Sequence, residues 1–273
     1  MTTLPLRLLG VGPQRTGSTW LDAQLRRHSD LALPTNVKET FFFDRHWARG
    51  AADYASHFPE AHVAWAEVGP TYFDDPEVPE RVCSLAADVH IVVTLRDPLD
   101  RAVSLFQHHH RKGRVPDSFD AAAAAIPRIV TAGDYADHLP RWLRVFGAGR
   151  VHVVLLDDIT EDPARVLADL MERCGLAALA PSDDAGERVN AASAPRFPAL
   201  AGAAARAVTL LRDARLHRVV EVGKRLGLKR VYRGGGAPPE ATSDERARLA
   251  ARYRPHVEYV ESLLDRELDW ARA

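Results

Sequence analysis

Gly12-Pro13-Gln14-Arg15-Thr16-Gly17-Ser18-Thr19-Trp20 closes the apolar run Leu6–Gly12 and decides how this chain is read. The run before it is short and apolar, as a buried strand is. The segment after it, Thr19 to Arg27, carries apolar residues at 20, 21 and 25, which suits a helix. Strand, tight turn and helix make the first half of a nucleotide-binding unit. The turn nearly satisfies the P-loop spacing G-x-x-x-x-G-K-[ST], but Ser18 stands where the lysine belongs. The cation sits three positions earlier, at Arg15, among the hydroxyls of Thr16, Ser18 and Thr19. Backbone N–H groups of such a turn and of the next helix's first turn form an anion cradle. Without the lysine, the arrangement for a triphosphate and its magnesium is missing. A terminal phosphate or a phosphate–sulfate anhydride fits it better.

The same pattern repeats along the chain. His90 to Leu95 reads as a second buried strand, and Asp97-Pro98 opens a helix to about Lys112, with proline in the first turn where its missing N–H does no harm. Val151 to Leu156 is a third strand, followed by Asp162-Pro163 and a helix through Cys174-Gly175; a shorter strand, Val63 to Val68, lies between the first two. Strands alternating with helices predict an α/β, P-loop-like three-layer fold, with a central, mostly parallel sheet flanked by helices. We read residues 1–273 as one domain, with a nucleotide-binding core over about 6–175 and a helical C-terminal region with a lid or loop over about 190–273. Beyond Asn190 the strand signal disappears. Residues 197–231 read as a basic helical region: a lid, a docking surface for an anionic acceptor, or a solvated face. Tyr232 to Pro239 reads as a loop, and a last helix runs from Ser243 to about Leu268, opening on Ser-Asp-Glu-Arg.

The bulk numbers exclude several classes. Of 273 residues 46% are hydrophobic, enough for a core without disulfides or metal. Thirty-six basic against 37 acidic residues give a net charge of −1, which argues against wholesale nucleic-acid binding. Cys83 and Cys174 are far apart and read as buried thiols of a reducing compartment. No export signal and no run of about 20 apolar residues is seen, so the expectation is a cytoplasmic protein without a membrane span. His108-His109-His110 tempts a metal reading, but neighbours on a helix point about 100° apart and do not converge on one ion. No metal site is expected.

At this point the sequence resembles the PAPS-dependent sulfotransferases, which use 3′-phosphoadenosine 5′-phosphosulfate and release the bisphosphate PAP. Arg15 to Trp20 resembles their 5′-phosphosulfate loop. Val92-Val93-Thr94-Leu95-Arg96-Asp97-Pro98, with Arg101 and Ser104, resembles their 3′-phosphate strand and helix, where an arginine and a serine eight residues later hold that phosphate. Lys38-Glu39-Thr40-Phe41-Phe42-Phe43-Asp44 looks like the Lys-Glu-x-x-Phe-Phe motif of the heparan-sulfate (Golgi-type) and bacterial branch, and Glu67 to Phe73 looks like its Pro-x-Tyr-Phe segment. Asp134-Tyr135 through Trp142-Leu143 and Leu268-Asp269-Trp270 extend the likeness. Two positions depart from the pattern: the usual loop lysine is Arg15, and some relatives have lysine where Val68 stands.

The resemblance implies sulfuryl transfer from PAPS to a hydroxyl or amine of a small-molecule, lipid or glycan acceptor, with no metal required. Glu39 is implied as general base, and Arg15 as the cation on the leaving 5′-phosphate. Thr16, Gly17, Ser18 and Thr19 would bind the nucleotide with Arg15, and Trp20 would stack on adenine or fill the core. Arg96 ends a strand at its carboxyl end, where open α/β sheets bind ligands, and would take the 3′-phosphate with Ser104. Arg233 and Gly234 align with a loop that closes on the nucleotide; Lys38, Tyr72 and His108 would face the acceptor. A cytoplasmic bacterial enzyme is the setting expected. Competing readings are a P-loop kinase or NTPase and a non-catalytic adenine-nucleotide-binding module.

Overall fold

Strands β1 (Leu6–Gly10), β2 (Leu31–Ala32), β3 (Ala64–Val68), β4 (His90–Leu95) and β5 (Val151–Leu155) form one parallel sheet in the order β2-β3-β1-β4-β5. The computed structural model describes residues 3–59, 64–179, 194–195, 233–235 and 239–270. β4 has the bounds its apolar run predicts. β2, two residues long, was not anticipated, because so short a strand carries no period to read.

Eleven α-helices are described, besides a single 3-10 turn at Trp47–Arg49. They are α1 (Ser18–Leu25), α2 (Phe42–Arg45), α3 (Ala51–Ala55), α4 (Val78–Leu85), α5 (Pro98–His110) and α6 (Phe119–Ala125), then α7 (Arg128–Thr131), α8 (Tyr135–Phe146), α9 (Leu156–Glu161), α10 (Pro163–Arg173) and α11 (Ser243–Leu264). Their apolar stripes cover both faces of the sheet, which is why the strands read as continuous hydrophobic runs. Leu9, Ile91, Val93 and Leu95 pack with Val78 and Val82 of α4, with Leu139, Trp142 and Phe146 of α8, and with Val257 and Val260 of α11. Leu8, Val68, Val92 and Val154 pack on the opposite side with Leu21 and Leu25 of α1 and Leu170 and Met171 of α10. A third cluster joins α5, α6, α7 and the first half of α11 through Leu99, Phe106, Phe119, Ile129, Leu249 and Tyr253. No helix among the described residues is long and apolar enough to cross a membrane.

Helix ends follow local chemistry. Asp97 caps α5, its carboxylate accepting from the N–H groups of Leu99 (2.8 Å) and Asp100 (3.3 Å), with Pro98 at the first turn. The cap of α11 is Thr242, one residue before the expected serine, in a reciprocal capping box with Glu245. That helix stops at Leu264, short of the expected Leu268, where Asp265 turns left-handed at φ +50°. The expectation that strands end with Asn190 is corrected by a small antiparallel pair, β6 (Ala194–Pro195) with β7 (Arg233–Gly235). Arg233 and Gly234, read as loop, belong to it. The helical reading of residues 197–231 lies outside the described residues.

One buried carboxylate ties the sheet to the segment before α2. Glu67, near the end of β3, is fully buried. Its Oε1 accepts from the Thr40 N–H (2.8 Å), the Thr40 hydroxyl (2.7 Å) and the Tyr72 hydroxyl (3.1 Å), and its Oε2 from the Tyr54 hydroxyl (2.9 Å). Desolvation pushes its pKa up to about 7 against the pull of these donors. A carboxyl raised in this way favours the folded state while protonated, and that advantage is lost as pH rises from about 4.5 to about 7.

Two outcomes are expected. Between roughly pH 5 and pH 7 the wild type should lose about 2 kcal/mol of stability through this one group, whereas Glu67→Gln should lack that slope. Parallel pH profiles in urea denaturation would remove Glu67 as the source. A Cβ added at Gly12 would lie 2.2 Å from the Thr94 carbonyl oxygen and 2.4 Å from its nitrogen, both backbone atoms that cannot step aside. Gly12→Ala should therefore cost about 3 kcal/mol or more by denaturation, and a near-neutral variant would refute this packing.

Candidate functional site

The sheet order reverses direction at β1: β3 lies on one side of it and β4 on the other. In an open parallel sheet such a reversal opens a crevice beyond the carboxyl ends of the two diverging strands. The loop after β1 and the residue that ends β4 both emerge there, so Arg15 and Arg96 are brought together from positions remote in sequence.

The loop is held from below. The Thr16 hydroxyl, fully buried, lies 2.8 Å from the Thr94 hydroxyl of β4 and donates to the Pro13 carbonyl at 2.7 Å. Gly12 lies flat against Thr94, and Gly17 adopts φ +107° at the start of α1. Only a residue without Cβ does this at no steric cost. No side chain caps α1. Its first N–H groups, of Ser18, Thr19 and Trp20, are left pointing out of the helix where an anion would satisfy them.

The cations converge on that opening. Arg15, half-buried at φ +79°, donates its Nε to the Ser104 hydroxyl of α5 at 2.9 Å. The two residues were expected at opposite phosphates of one nucleotide; in the structure they touch. Burial, then the guanidiniums of Arg111 and Arg96, push the Arg15 pKa down. Arg96 holds Asp100 at 3.1 Å across one helical turn. Arg15, Arg96 and Arg111 thus share one electropositive volume, and gathered like charges are repaid by a bound anion. His108 belongs to the same volume: burial and the neighbouring Lys112, Arg15, His109 and Arg111 push it down to about 2, so its imidazole is neutral. Of the histidine run, His109 is buried with α5 while His110 pairs with Asp117 at 2.7 Å.

A second loop closes on the first. Lys38 donates its Nζ to the Thr19 hydroxyl at 3.2 Å, joining the Lys38-Glu39-Thr40 segment to the phosphate loop. Glu39 is half-buried between Lys38 and Thr40, and Thr40 is fixed to Glu67. Phe41 follows in the left-handed region at φ +53°. Arg15, Phe41 and Asp265 are the described non-glycine residues with positive φ, and two of them lie in these apposed loops. Such local strain clusters at functional sites.

Two expected residues have other settings. Tyr72, assigned to the acceptor, is fully buried; its hydroxyl donates to Glu67, lies 3.1 Å from the Thr40 hydroxyl and accepts from the Phe42 N–H at 3.1 Å. It shapes the Glu39 loop from behind. Arg101, grouped with Arg96 by resemblance, is fully buried and donates to the Ile129 carbonyl at 2.6 Å, where it caps α7. Trp20 packs against the α1 side of the core, with its buried Nε1 unpartnered. Glu67 and Arg111 escaped the sequence reading. Glu67 lies inside a quoted motif, but nothing in the spacing reveals that four donors meet on it; Arg111 has no motif around it.

Comparison with known proteins accords with this geometry. A family model described as sulfotransferase domain matches residues 6–191. The chain is 32% identical over 180 residues to a bifunctional heparan sulfate N-deacetylase/N-sulfotransferase 1 of Caenorhabditis elegans, and 30% identical over 193 residues to the human enzyme 3 of that name. These matches cover 60% and 62% of this chain but 21% and 22% of the relatives, so the chain spans about a fifth of their length. Its fold matches a sulfotransferase from Alicyclobacillus acidocaldarius with a TM-score of 0.70, at 22% identity, over 98% of this chain and 99% of that one. A mouse sulfotransferase crystallised with PAP matches with a TM-score of 0.51 at 16% identity, over 70% of each chain. With a crevice at the sheet's reversal point, a lysine-free phosphate loop and a family match over most of the parallel core, the chain belongs to the sulfotransferase family.

Proposed function

We propose that this sulfotransferase takes its sulfuryl group from PAPS, held by Arg15, Thr16, Gly17, Ser18, Thr19, Arg96 and Ser104, and passes it to a hydroxyl or amine of a small acceptor. The observation that carries this reading is the 2.9 Å contact between Arg15 and Ser104. It joins the loop suited to a 5′-phosphosulfate and the helix suited to a 3′-phosphate, so one compact bisphosphate nucleotide can engage both. The first turn of α1 adds N–H donors, and Arg111 adds charge.

In sulfuryl transfer the acceptor oxygen or nitrogen bonds to sulfur while the bond from sulfur to the 5′-phosphate oxygen breaks. The departing electron pair stays on that phosphate, and the acceptor's proton must go to a base. Such a displacement asks for positioning and for charge stabilisation at the leaving oxygen. Arg15 supplies the cation. Glu39 takes the proton, on the strength of its place between Lys38, bonded to the phosphate loop, and Thr40, bonded to the buried Glu67. Neutral His108 stands beside the same cations as a hydrogen-bonding group for the acceptor. Tyr72 supports Glu39 from the core and does not touch acceptor. Trp20 would lie under adenine; its half-exposed ring and unpartnered Nε1 support that role.

In single-turnover assays with PAPS, Glu39→Gln should lower the transfer rate at least ~100-fold and leave PAP affinity nearly intact. An unchanged rate would remove Glu39 from the mechanism. Arg96→Ala should weaken PAP far more than the analogue lacking the 3′-phosphate, because a charge-assisted bond is lost in one case only. Equal weakening of the two in calorimetric titrations would reject the 3′-phosphate assignment, and tighter binding of ATP with magnesium than of PAP would favour a kinase-like site.

A further inference from the structure

At the other end of the sheet, away from the nucleotide crevice, β4 and β5 each begin near a histidine. His152 pairs in register with Val92. Side chains two apart on a strand share a face, so His90 and His152 are diagonal neighbours on one face of the sheet. It is the face covered by α10, because Val92 packs with Leu170, Met171 and Cys174. Cys174 ends that helix, fully buried. Three elements therefore deliver two imidazoles and a thiol to one place.

The imidazole rings lie 5.2 Å apart at 17° to each other, with His90 Nδ1 2.9 Å from His152 Nε2. A hydrogen bond between two ring nitrogens needs one of them unprotonated, so a lone pair is already turned into the cluster. One ligand atom from each of His90, His152 and Cys174 lies within 4.8 Å of the others. A tetrahedral zinc ion with Zn–N of about 2.0 Å and Zn–S of about 2.3 Å holds its ligands roughly 3.3–3.8 Å apart. Reaching that spacing takes shifts of about an ångström, within the range of side-chain rotation.

We propose that His90, His152 and Cys174 form a binding site for a thiophilic divalent transition metal, Zn²⁺ by its ligand preference, with solvent completing the coordination. The mixed nitrogen and sulfur set is that of zinc sites with three protein ligands. On binding, the Cys174 S–H bond is lost and its proton is released to solvent, while the sulfur electron pair bonds to the metal. The hydrogen bond between the rings gives way to two metal–nitrogen bonds, the donating ring shifting its proton to its other nitrogen through solvent. Burial already holds both imidazoles neutral, with His152 pushed down to about 4. Burial pushes the Cys174 thiol up to about 11 against the pull of Arg7, which donates to the Cys174 carbonyl at 2.9 Å, and of Arg173, so the metal must displace its proton and face both cations. Arg150, the other cation near His90, is paired with Asp88 at 2.7 Å. The site is distinct from the transfer chemistry; its occupant would pin the end of α10 to the leading edges of β4 and β5.

The full chain, prepared without a polyhistidine tag and stripped with a chelator, would be titrated with Co²⁺. One equivalent should produce visible bands of four-coordinate cobalt and a near-ultraviolet thiolate-to-cobalt transition, both bleached by Zn²⁺, together with a raised Tm. Cys174→Ser should abolish the charge-transfer band, and His90→Gln, at a half-exposed position, should weaken Co²⁺ at least ~10-fold. PAP affinity should be the same in both variants. Absence of the bands in the wild type overturns the site, as does their persistence in Cys174→Ser, which would report binding elsewhere, the His108–His110 run included.

Discussion

The phosphate loop can exist in this form only because it lies flat on β4. Gly12 has no room for a Cβ beside the Thr94 backbone, and the Thr16 hydroxyl meets the Thr94 hydroxyl in a fully buried contact. These two contacts fix the path of the chain between β1 and α1, and with it the direction of the α1 N-terminus. They also set how far the loop stands from the end of β4, where Arg96 leaves the sheet. A loop free to lift from β4 would separate Arg15 from Ser104 and disperse the positive charge that the fold concentrates. Packing of a few small side chains thus underlies the electrostatics of the crevice.

A second restraint acts on the opposite wall. Four hydroxyl and amide donors close on the Glu67 carboxylate, and two of them come from Thr40, next to Glu39. Burying a carboxyl is costly even when hydrogen bonds compensate part of the desolvation. Its position gives a reason for bearing that cost: Thr40 cannot move without breaking two short bonds, and Phe41 beyond it is held in a left-handed conformation. The aromatic residues Phe42, Phe43, Tyr54 and Tyr72 pack around this point, and their rings exclude water from it. Glu39 therefore projects from a rigid base, while Lys38 fastens its other side to Thr19.

Much of this was legible in the sequence, for identifiable reasons. Continuous apolar runs gave β1, β4 and β5, because a parallel sheet buried on both faces has no polar alternation to obscure it. Asp-Pro pairs gave the starts of α5 and α10, where a carboxylate cap and a proline act within one turn. The eight-residue separation of Arg96 and Ser104 suggested one ligand for the two; Ser104 bonds Arg15, and Arg96 lies near enough to lower the Arg15 pKa. What failed depends on contacts that no local pattern encodes. Tyr72 reads as an acceptor residue in its motif, yet the side chain turns inward to a carboxylate five positions earlier. Arg101 shares a helix with Ser104 but points away, into a buried cap of α7. His90 and Cys174 meet only because α10 folds back over the sheet.

The arginine at position 15 is best understood through its two simultaneous tasks. A lysine has one nitrogen, so an ammonium bonded to Ser104 and a phosphate would have to divide a single point charge between them. The guanidinium is a planar fork: its Nε edge meets Ser104 at 2.9 Å while the Nη groups belong to the other edge. On the proposed reading that second edge meets the leaving phosphate. The cost is visible in the backbone, since Arg15 takes φ +79°, a region that side chains rarely occupy. Arg96 and Arg111 add repulsion, and burial adds desolvation. Of these penalties, the repulsion among the guanidiniums shrinks when a polyanion enters. On the proposed reading, selectivity for a doubly phosphorylated ligand follows from the same cations whose mutual repulsion makes the loop unfavourable alone.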